Sequence, residues 1–244
     1  MTQTNLLPVR IIDEVDADSL GFDGVDLKRV ARCDDGHSYA MKRVQDGPLI
    51  PISEWVGYHM CRKCAVLTPD FAVLNDPDGA APSFGSRIAS YLQIEHDPGS
   101  FRVSSFFDGH HAALSAIYSL DAIVINPDRH GRNVFVEQGR GKQPSRVRAF
   151  DFSRAWLVTG APFGNTESMR DSATQKWWKT LHRLGCRPSQ EALSLLQNTD
   201  APWLRGVIES APETWRASVD VDATVTFWER QRLARINWAQ RWLT

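Results

Sequence analysis

The sequence predicts an α+β fold in two lobes: a β-rich N-terminal lobe over residues 1–95 and a mainly helical C-terminal lobe over residues 96–244. Three observations predict this division. Short apolar runs bounded by turn-forming residues fill much of the first lobe, which is typical of strands. A long apolar segment follows, HAALSAIYSLDAIVI, and it reads as a buried helix. Beyond residue 160, apolar residues recur at helical spacing to the end of the chain.

The composition is that of a folded globular protein. The chain has 244 residues, 42% of them hydrophobic and 23% charged, and its formal net charge is -1. This balance argues against a broad electrostatic contact with nucleic acid. No apolar run reaches the roughly 18 residues of a membrane span. The N-terminus also lacks a secretory pattern, and cysteines are few, so we expect a cytoplasmic protein.

The elements of the N-terminal lobe can be placed in order. Apolar runs on either side of DDGH, residues 34–37, predict a β-hairpin, because Asp-Gly favours hairpin turns. A helix is predicted over residues 53–67, with Ser53 as its N-cap and Pro69 closing it. Two more strands are predicted, at FAVL, residues 71–74, and at RIASYLQIE, residues 87–95, and a turn-rich stretch separates them.

The predicted helix contains the pair CRKC, in which Cys61 and Cys64 share one face. A metal or redox pair is one interpretation, but structural zinc sites need four ligands and no second paired cluster is present. Buried, inert thiols are the other interpretation.

The C-terminal lobe begins with the apolar helix, residues 111–125, and continues into a strand at residues 133–138. A second strand is predicted at VRAFDFSRAWLV, residues 147–158. The loop INPDRHGRN connects the helix to the first strand and concentrates polar side chains between buried segments. Buried polar groups are costly unless they are satisfied, so the loop is either a well-capped turn or a site.

Three oxygen-bearing side chains lie in this loop or after the strand that follows it. Asp128 and Asn133 are five residues apart, and Asp151 follows an apolar strand. Oxygen ligands from Asn133 and Asp151 suit Mg²⁺, which binds one or two carboxylates together with substrate phosphates. Asp128 then remains to orient and deprotonate a hydroxyl group, which is the division of roles that phosphoryl transfer from ATP requires.

The order of these residues is a variant of a known pattern. Protein kinases use H-R-D-x-x-x-x-N followed by D-F-G, whereas this chain has NPDRHGRN and later DFS. The spacing matches and the flanking letters are permuted. The permuted pattern resembles the HipA-like kinases, a bacterial branch of the kinase-like superfamily. The resemblance implies a two-lobed, protein-kinase-like fold that binds ATP and Mg²⁺ between its lobes.

The resemblance covers about residues 35–160 and implies further site residues. The strand SYAMKRV would carry the phosphate-binding lysine, Lys42, and the following helix would supply Glu54 as its ion-pair partner. The hinge backbone that would contact the adenine comprises Gln93, Ile94 and Glu95. The phosphate loop is represented only by Gly21 and Gly24, without the G-x-G-x-x-G spacing.

The remaining loop residues leave alternatives open. His130 either positions Asp128 or hydrogen-bonds within the loop. Arg129 and Arg132 either contact phosphate or substrate, or are solvated.

Taken with the resemblance, the residues predict transfer of the γ-phosphate to a protein Ser or Thr hydroxyl, with Lys42, Glu54, Asp128 and His130 as catalytic residues. The resemblance also implies the toxin of a toxin–antitoxin module, whose antitoxin partner would carry a helix-turn-helix. Three alternatives remain: transfer to a small molecule or of a nucleotidyl group, a nucleotide-binding regulator without catalysis, and a metal-dependent hydrolase built on Asp128, His130 and Asp151.

Overall fold

Strands dominate the N-terminal part of the chain and helices the C-terminal part. The computed structural model describes residues 8–20, 28–88, 109–137, 145–156 and 163–242. The strands are β1 Val9–Asp16, β2 Arg29–Cys33, β3 Ser38–Lys42, β4 Phe71–Asn75, β5 Ser83–Ile88, β6 Val134–Glu137 and β7 Arg146–Ala149. The α-helices are α1 Ile50–Lys63, α2 His111–Val124, α3 Ala173–Arg183, α4 Gln190–Gln197, α5 Ala201–Glu209, α6 Glu213–Arg216 and α7 Val221–Trp242.

The first five strands form a closed barrel in the order β1-β2-β3-β5-β4. Neighbouring strands are antiparallel except β1 and β4, which are parallel. The predicted hairpin is confirmed, because β2 and β3 flank the DDGH turn and pair with each other. A compact apolar cluster joins strands of this barrel, and it comprises Ile11, Ala31, Cys33, Tyr39, Met41, Ala72 and Leu74.

β5 begins at Ser83, four residues before the strand predicted at residues 87–95, and it overlaps that prediction at Arg87 and Ile88; residues 89–95 lie outside the described residues. The Ser and Gly residues that suggested a turn belong to the strand. Gly85 packs so closely on Leu74 that a Cβ at position 85 would lie 2.7 Å from the Leu74 side chain. Small residues are therefore needed here for packing rather than for chain reversal.

Helix α1 begins three residues before its predicted start, and Ser53 is not its cap. The N-cap is Leu49, without a side-chain hydrogen bond, and Pro51 occupies the first turn, where its missing N–H costs nothing. The Ser53 hydroxyl instead lies buried against the main-chain carbonyls of Phe152 and Ala155, at 2.5 and 2.9 Å. The helix ends at Lys63, and Ala65 then adopts a positive φ of 58°.

The helix and the two strands around the polar loop are present, but the second strand is short. Helix α2 ends within one residue of the prediction, with Ile125 in a left-handed conformation. β6 and β7 pair as an antiparallel ribbon, and β7 stops at Ala149. Asp151 and Trp156 have positive φ values of 61° and 42°, which no strand accommodates, and this ends the predicted strand early.

Helices of the second part pack directly on the barrel and on α1. Trp55 of α1 donates from its indole nitrogen to the carbonyl of Val207 in α5, at 3.0 Å. Trp215 of α6 is fully buried and donates to the carbonyl of Pro82, just before β5, at 2.6 Å. One large apolar core therefore runs through α1, α2, the β6–β7 ribbon and the C-terminal helices.

The described parts of the chain contain no helix with both the length and the apolar composition needed to cross a bilayer.

Gly57 in α1 tests how tightly this helix packs on the segment after β7. A Cβ at this position would lie 2.5 Å from the Phe152 side chain, so we expect Gly57→Ala to lower the free energy of unfolding by about 1–3 kcal/mol. Chemical denaturation measures the change. Gly206→Ala in α5 is the matched control, because nothing lies within 4 Å of where the alanine Cβ would be. This substitution should raise the free energy of unfolding by up to about 1 kcal/mol, since alanine favours helix more than glycine does. Equal stabilities of Gly57→Ala and the parent protein would contradict the close packing.

Candidate active site

One amine lies between two carboxylates from distant parts of the chain. The Nζ atom of Lys42, at the end of β3, is 3.6 Å from Oε1 of Glu54 and 3.4 Å from Oδ1 of Asp151. β5 fixes the position of the lysine, because Lys42 pairs with Phe84 in the barrel. Three predicted site residues therefore meet at one point, where the barrel, α1 and the segment after β7 come together.

Glu54 connects Lys42 to the main chain beside Asp151. The glutamate is almost completely buried, and its Oε2 accepts from the Phe152 N–H at 3.0 Å. Burial raises the pKa of Glu54 to about 8, and the positive charge of Lys42 only partly opposes this effect. Near neutral pH the glutamate is thus close to its titration point, while its contact with the main chain holds α1 and the Asp151 segment together.

Asp151 occupies a strained turn and remains ionised. Its φ of 61° lies in the left-handed region, which Asp tolerates better than most residues. Burial alone would raise the pKa of Asp151, but Lys42 and the N–H and hydroxyl groups of Ser153 lower it well below its usual range. The hydrogen bonds from Lys42 and Ser153 end on Oδ1 of this carboxylate.

The polar loop brings Asp128 to the same region. Its main-chain N–H donates to Oδ1 of Asn126 at 3.3 Å, an Asx-type turn that shapes the start of the loop. Its carboxylate is partly exposed and lies 3.7 Å from Nε of Arg154, three residues after Asp151. The loop and the Asp151 segment are therefore adjacent, and the Asp128 carboxylate faces solvent beside a cation.

Asn133 is oriented by the loop that it ends. The residue is buried, and its Nδ2 donates to the carbonyl of Asp128 at 3.0 Å. With Nδ2 bound in this way, Oδ1 is the amide atom that could act as a metal ligand. The Phe150 N–H also donates to the Asn133 carbonyl at 3.3 Å, so the two candidate ligands, Asn133 and Asp151, lie at the same end of the ribbon.

These two residues fit Mg²⁺ by the chemistry of their donors. An amide oxygen and an ionised carboxylate oxygen are hard ligands, and Mg²⁺ commonly binds few protein groups and completes its octahedron with phosphate and water. Within the described ranges no cluster of three or more His, Cys, Asp or Glu could hold a metal by itself. The donor set is suited to a metal that arrives with a phosphate ligand.

His130 makes its hydrogen bond within the loop. Its Nδ1 accepts from the Arg132 N–H at 3.2 Å and caps a short 3₁₀ turn at Gly131–Asn133. Partial burial lowers the pKa of His130, so the ring is neutral at neutral pH. The loop interpretation of this histidine agrees with the geometry. Arg132 is exposed, which is compatible with both of its interpretations.

Both interpretations of Arg129 are wrong: the side chain is fully buried and neither solvated nor directed to a substrate. It forms a two-point ion pair with Asp121 of α2, with Nε–Oδ2 and Nη2–Oδ1 distances of 2.9 and 3.1 Å. Sequence reasoning also missed Asp121. A single carboxylate inside an apolar helix is a signal that could have revealed it, since a buried charge requires a partner.

The structure places the other candidates as follows. Cys61 and Cys64 are free thiols, and the predicted burial of the CRKC cysteines is confirmed. The predicted nucleotide contacts Gly21, Gly24, Gln93, Ile94 and Glu95 lie outside the described residues.

Comparison of the sequence with models of protein families gives no match. Comparison with curated proteins likewise gives none. Among solved structures, the fold is similar to that of a proinflammatory kinase from Helicobacter pylori, CtkA, with a TM-score of 0.53 and 11% sequence identity. The similarity covers 91% of this chain and 95% of that one. At such low identity the likeness concerns the fold, and this chain therefore has a kinase-like fold.

The raised pKa of Glu54 predicts a specific pH dependence of stability. Because the pKa of Glu54 rises on folding, its protonation stabilises the folded state fully only at pH values below 4.5, its ordinary pKa. This contribution to the free energy of unfolding is lost as the pH rises to about 8. We expect the free energy of unfolding to fall, relative to that of Glu54→Gln, by up to about 1.4 kcal/mol per pH unit across this range. Urea denaturation of both proteins at several pH values measures the difference, in which all other titrating groups largely cancel. A constant difference would show that Lys42 keeps Glu54 ionised throughout.

Proposed function

We propose that the protein is an ATP- and Mg²⁺-dependent kinase that transfers the γ-phosphate to the hydroxyl group of a protein Ser or Thr. One observation carries the proposal: Lys42 lies within 3.6 Å of both Glu54 and Asp151 although the two carboxylates are far apart in the chain. Kinases need this lysine–glutamate pair and a metal-binding aspartate in place together. The kinase-like fold supports the same proposal.

In this proposal the chain is two-lobed, with residues 1–95 and 96–244 as the lobes and ATP between them. Lys42 binds the phosphates. Its ammonium group is held in position by Glu54, which is in turn anchored on the Phe152 N–H. The Lys42 side chain is buried, and its ammonium group contacts carboxylates and little solvent. Phosphate oxygens that bind this ammonium group would replace contacts with carboxylate oxygens by charge-assisted hydrogen bonds of the same kind.

Asn133 and Asp151 would hold Mg²⁺, which when bound neutralises phosphate charge as the phosphoryl group is transferred. The chain prepares both ligands beforehand. Ser153 and Lys42 fix Oδ1 of Asp151, and the Asp128 carbonyl fixes the amide of Asn133. Ligands that are already oriented lose little conformational entropy on binding.

Asp128 accepts the proton of the acceptor hydroxyl. Its carboxylate and the Arg154 side chain are 33% and 45% exposed, and exposed ion pairs at such distances contribute only about 0.2–1 kcal/mol. A substrate hydroxyl can therefore displace Arg154 from the carboxylate at low cost. The base is thus accessible from solvent, as transfer to a protein side chain requires.

The acceptor class and biological setting follow from the resemblance to HipA-like kinases. We propose a cytoplasmic toxin that modifies a protein Ser or Thr and is controlled by an antitoxin with a helix-turn-helix. Incubation of the protein with γ-labelled ATP, Mg²⁺ and cell lysate, followed by mass mapping of modified sites, tests the acceptor. A phosphate on Ser or Thr supports the proposal, whereas an added nucleotide would indicate nucleotidyl transfer, and label on a small molecule a metabolite kinase.

Asp128 provides the most direct test of the mechanism. We expect Asp128→Asn to lower kcat for phosphate transfer by about 10²- to 10⁴-fold, because the base is lost while ATP contacts remain. Nucleotide affinity and thermal stability should change little, since the carboxylate is partly exposed. The control is Asp13→Asn, an exposed aspartate on β1, which should leave transfer unchanged. If Asp128→Asn retained the parent rate with the mapped acceptor, Asp128 could not be the base.

A further inference from the structure

The side chain of Arg129 lies between the two main-chain segments that carry the candidate metal ligands. Its Nη1 donates to the carbonyl of Asn133 at 2.7 Å and also to the carbonyl of Phe150, the residue before Asp151. The carbon of the guanidinium group lies 4.7 Å from the ring centre of Phe152, the residue after Asp151. One buried group thus contacts the chain beside both ligands.

We propose that Arg129 is a positioning residue that sets the separation of Asn133 and Asp151 and thereby the affinity of the site for Mg²⁺. The inference rests on the proposed function, because it requires these two side chains to bind the metal.

The need for such a group follows from the ribbon. Val134 and Ala149 form the last residue pair of β6 and β7 at this end. Beyond that pair the strands separate, and Asp151 turns into its left-handed conformation. The main-chain hydrogen bond from the Phe150 N–H to the Asn133 carbonyl is long at 3.3 Å. Arg129 adds two charge-assisted hydrogen bonds at the point where the ladder ends, which strengthens an otherwise weak junction.

Arg129 is itself held from two other elements. Asp121 of α2 binds its guanidinium group at two points, and its main-chain N–H donates to the Thr174 hydroxyl at the start of α3, at 2.7 Å. Burial would lower the pKa of Arg129, but the attraction of Asp121 more than offsets it. The guanidinium group therefore remains charged and fixed relative to both α2 and α3.

Lysine is the informative substitution at this position. It retains a positive charge near Asp121, but its single ammonium group cannot bind both carboxylate oxygens and span two carbonyls. We expect Arg129→Lys to raise the dissociation constant for Mn²⁺, used as a paramagnetic substitute for Mg²⁺, at least tenfold in the presence of a non-hydrolysable ATP analogue. Affinity for the analogue in EDTA should stay within twofold of that of the parent protein. Electron paramagnetic resonance of bound Mn²⁺ and calorimetry provide the two readouts.

Arg235→Lys is the matched control. Arg235 is also buried and also donates to main-chain carbonyls, those of Ile123 and Gly164, and neither carbonyl belongs to a candidate ligand segment. A purely structural cost of losing a buried guanidinium group would appear in this variant as lower thermal stability. Its Mn²⁺ dissociation constant should match that of the parent protein.

A second variant covers the case in which Arg129→Lys does not fold. The double substitution Asp121→Leu/Arg129→Met replaces the buried ion pair with apolar side chains of similar volume, an exchange that is often neutral or stabilising. It also removes both hydrogen bonds to the ligand segments, so its Mn²⁺ affinity should fall by the same factor of at least ten.

The outcomes separate this inference from the proposed function. If the parent protein binds no Mn²⁺ with the analogue, the proposed metal site itself fails. If the parent binds Mn²⁺ and a folded Arg129 variant binds it within twofold as tightly, the proposed function stands and the positioning role is refuted. A tenfold loss that is confined to the Arg129 variants supports the role.

Discussion

The candidate site depends on one constraint: Asp151 must adopt a left-handed backbone conformation at the end of a two-stranded ribbon. Such a conformation is unfavourable for a residue with a side chain and persists only when its surroundings hold it. Here the residue before Asp151 is bound by Arg129 and the residue after it by Glu54. The side chain itself accepts from Ser153 and Lys42. The strain is thus offset by hydrogen bonds from the loop, α1 and the barrel.

This arrangement explains why the two carboxylates near Lys42 titrate in opposite directions. Asp151 lies beside several donors and keeps its charge, while Glu54 is enclosed in the apolar core with fewer donors and its pKa rises. Two carboxylates that share one ammonium group need not both be ionised. Lys42 and Asp151 then form the stronger ion pair, and Glu54 connects Lys42 and α1 with the main chain at Phe152.

The kinase-like fold is retained at 11% identity to the structure it resembles, and the packing around the site indicates which features maintain it. Gly57 allows α1 to approach Phe152 closely, and Ser53 binds the carbonyls of the same segment. These contacts place Glu54 beside Lys42 and the Phe152 N–H. Close packing of α1 on the segment after β7 therefore requires small residues at the contact.

The sequence by itself determined the local features. Three features can be read from the order of residues alone: the hairpin turn at DDGH, the apolar period of α2, and the spacing of Asp128, Asn133 and Asp151. They predict the elements and the chemical class of the site. Contacts between distant residues decided the rest. Closure of the barrel, the role of Ser53 and the early end of β7 each depend on a partner far along the chain. No local pattern encodes such a partner, because the cost of burying a polar group is set by what the folded chain brings next to it.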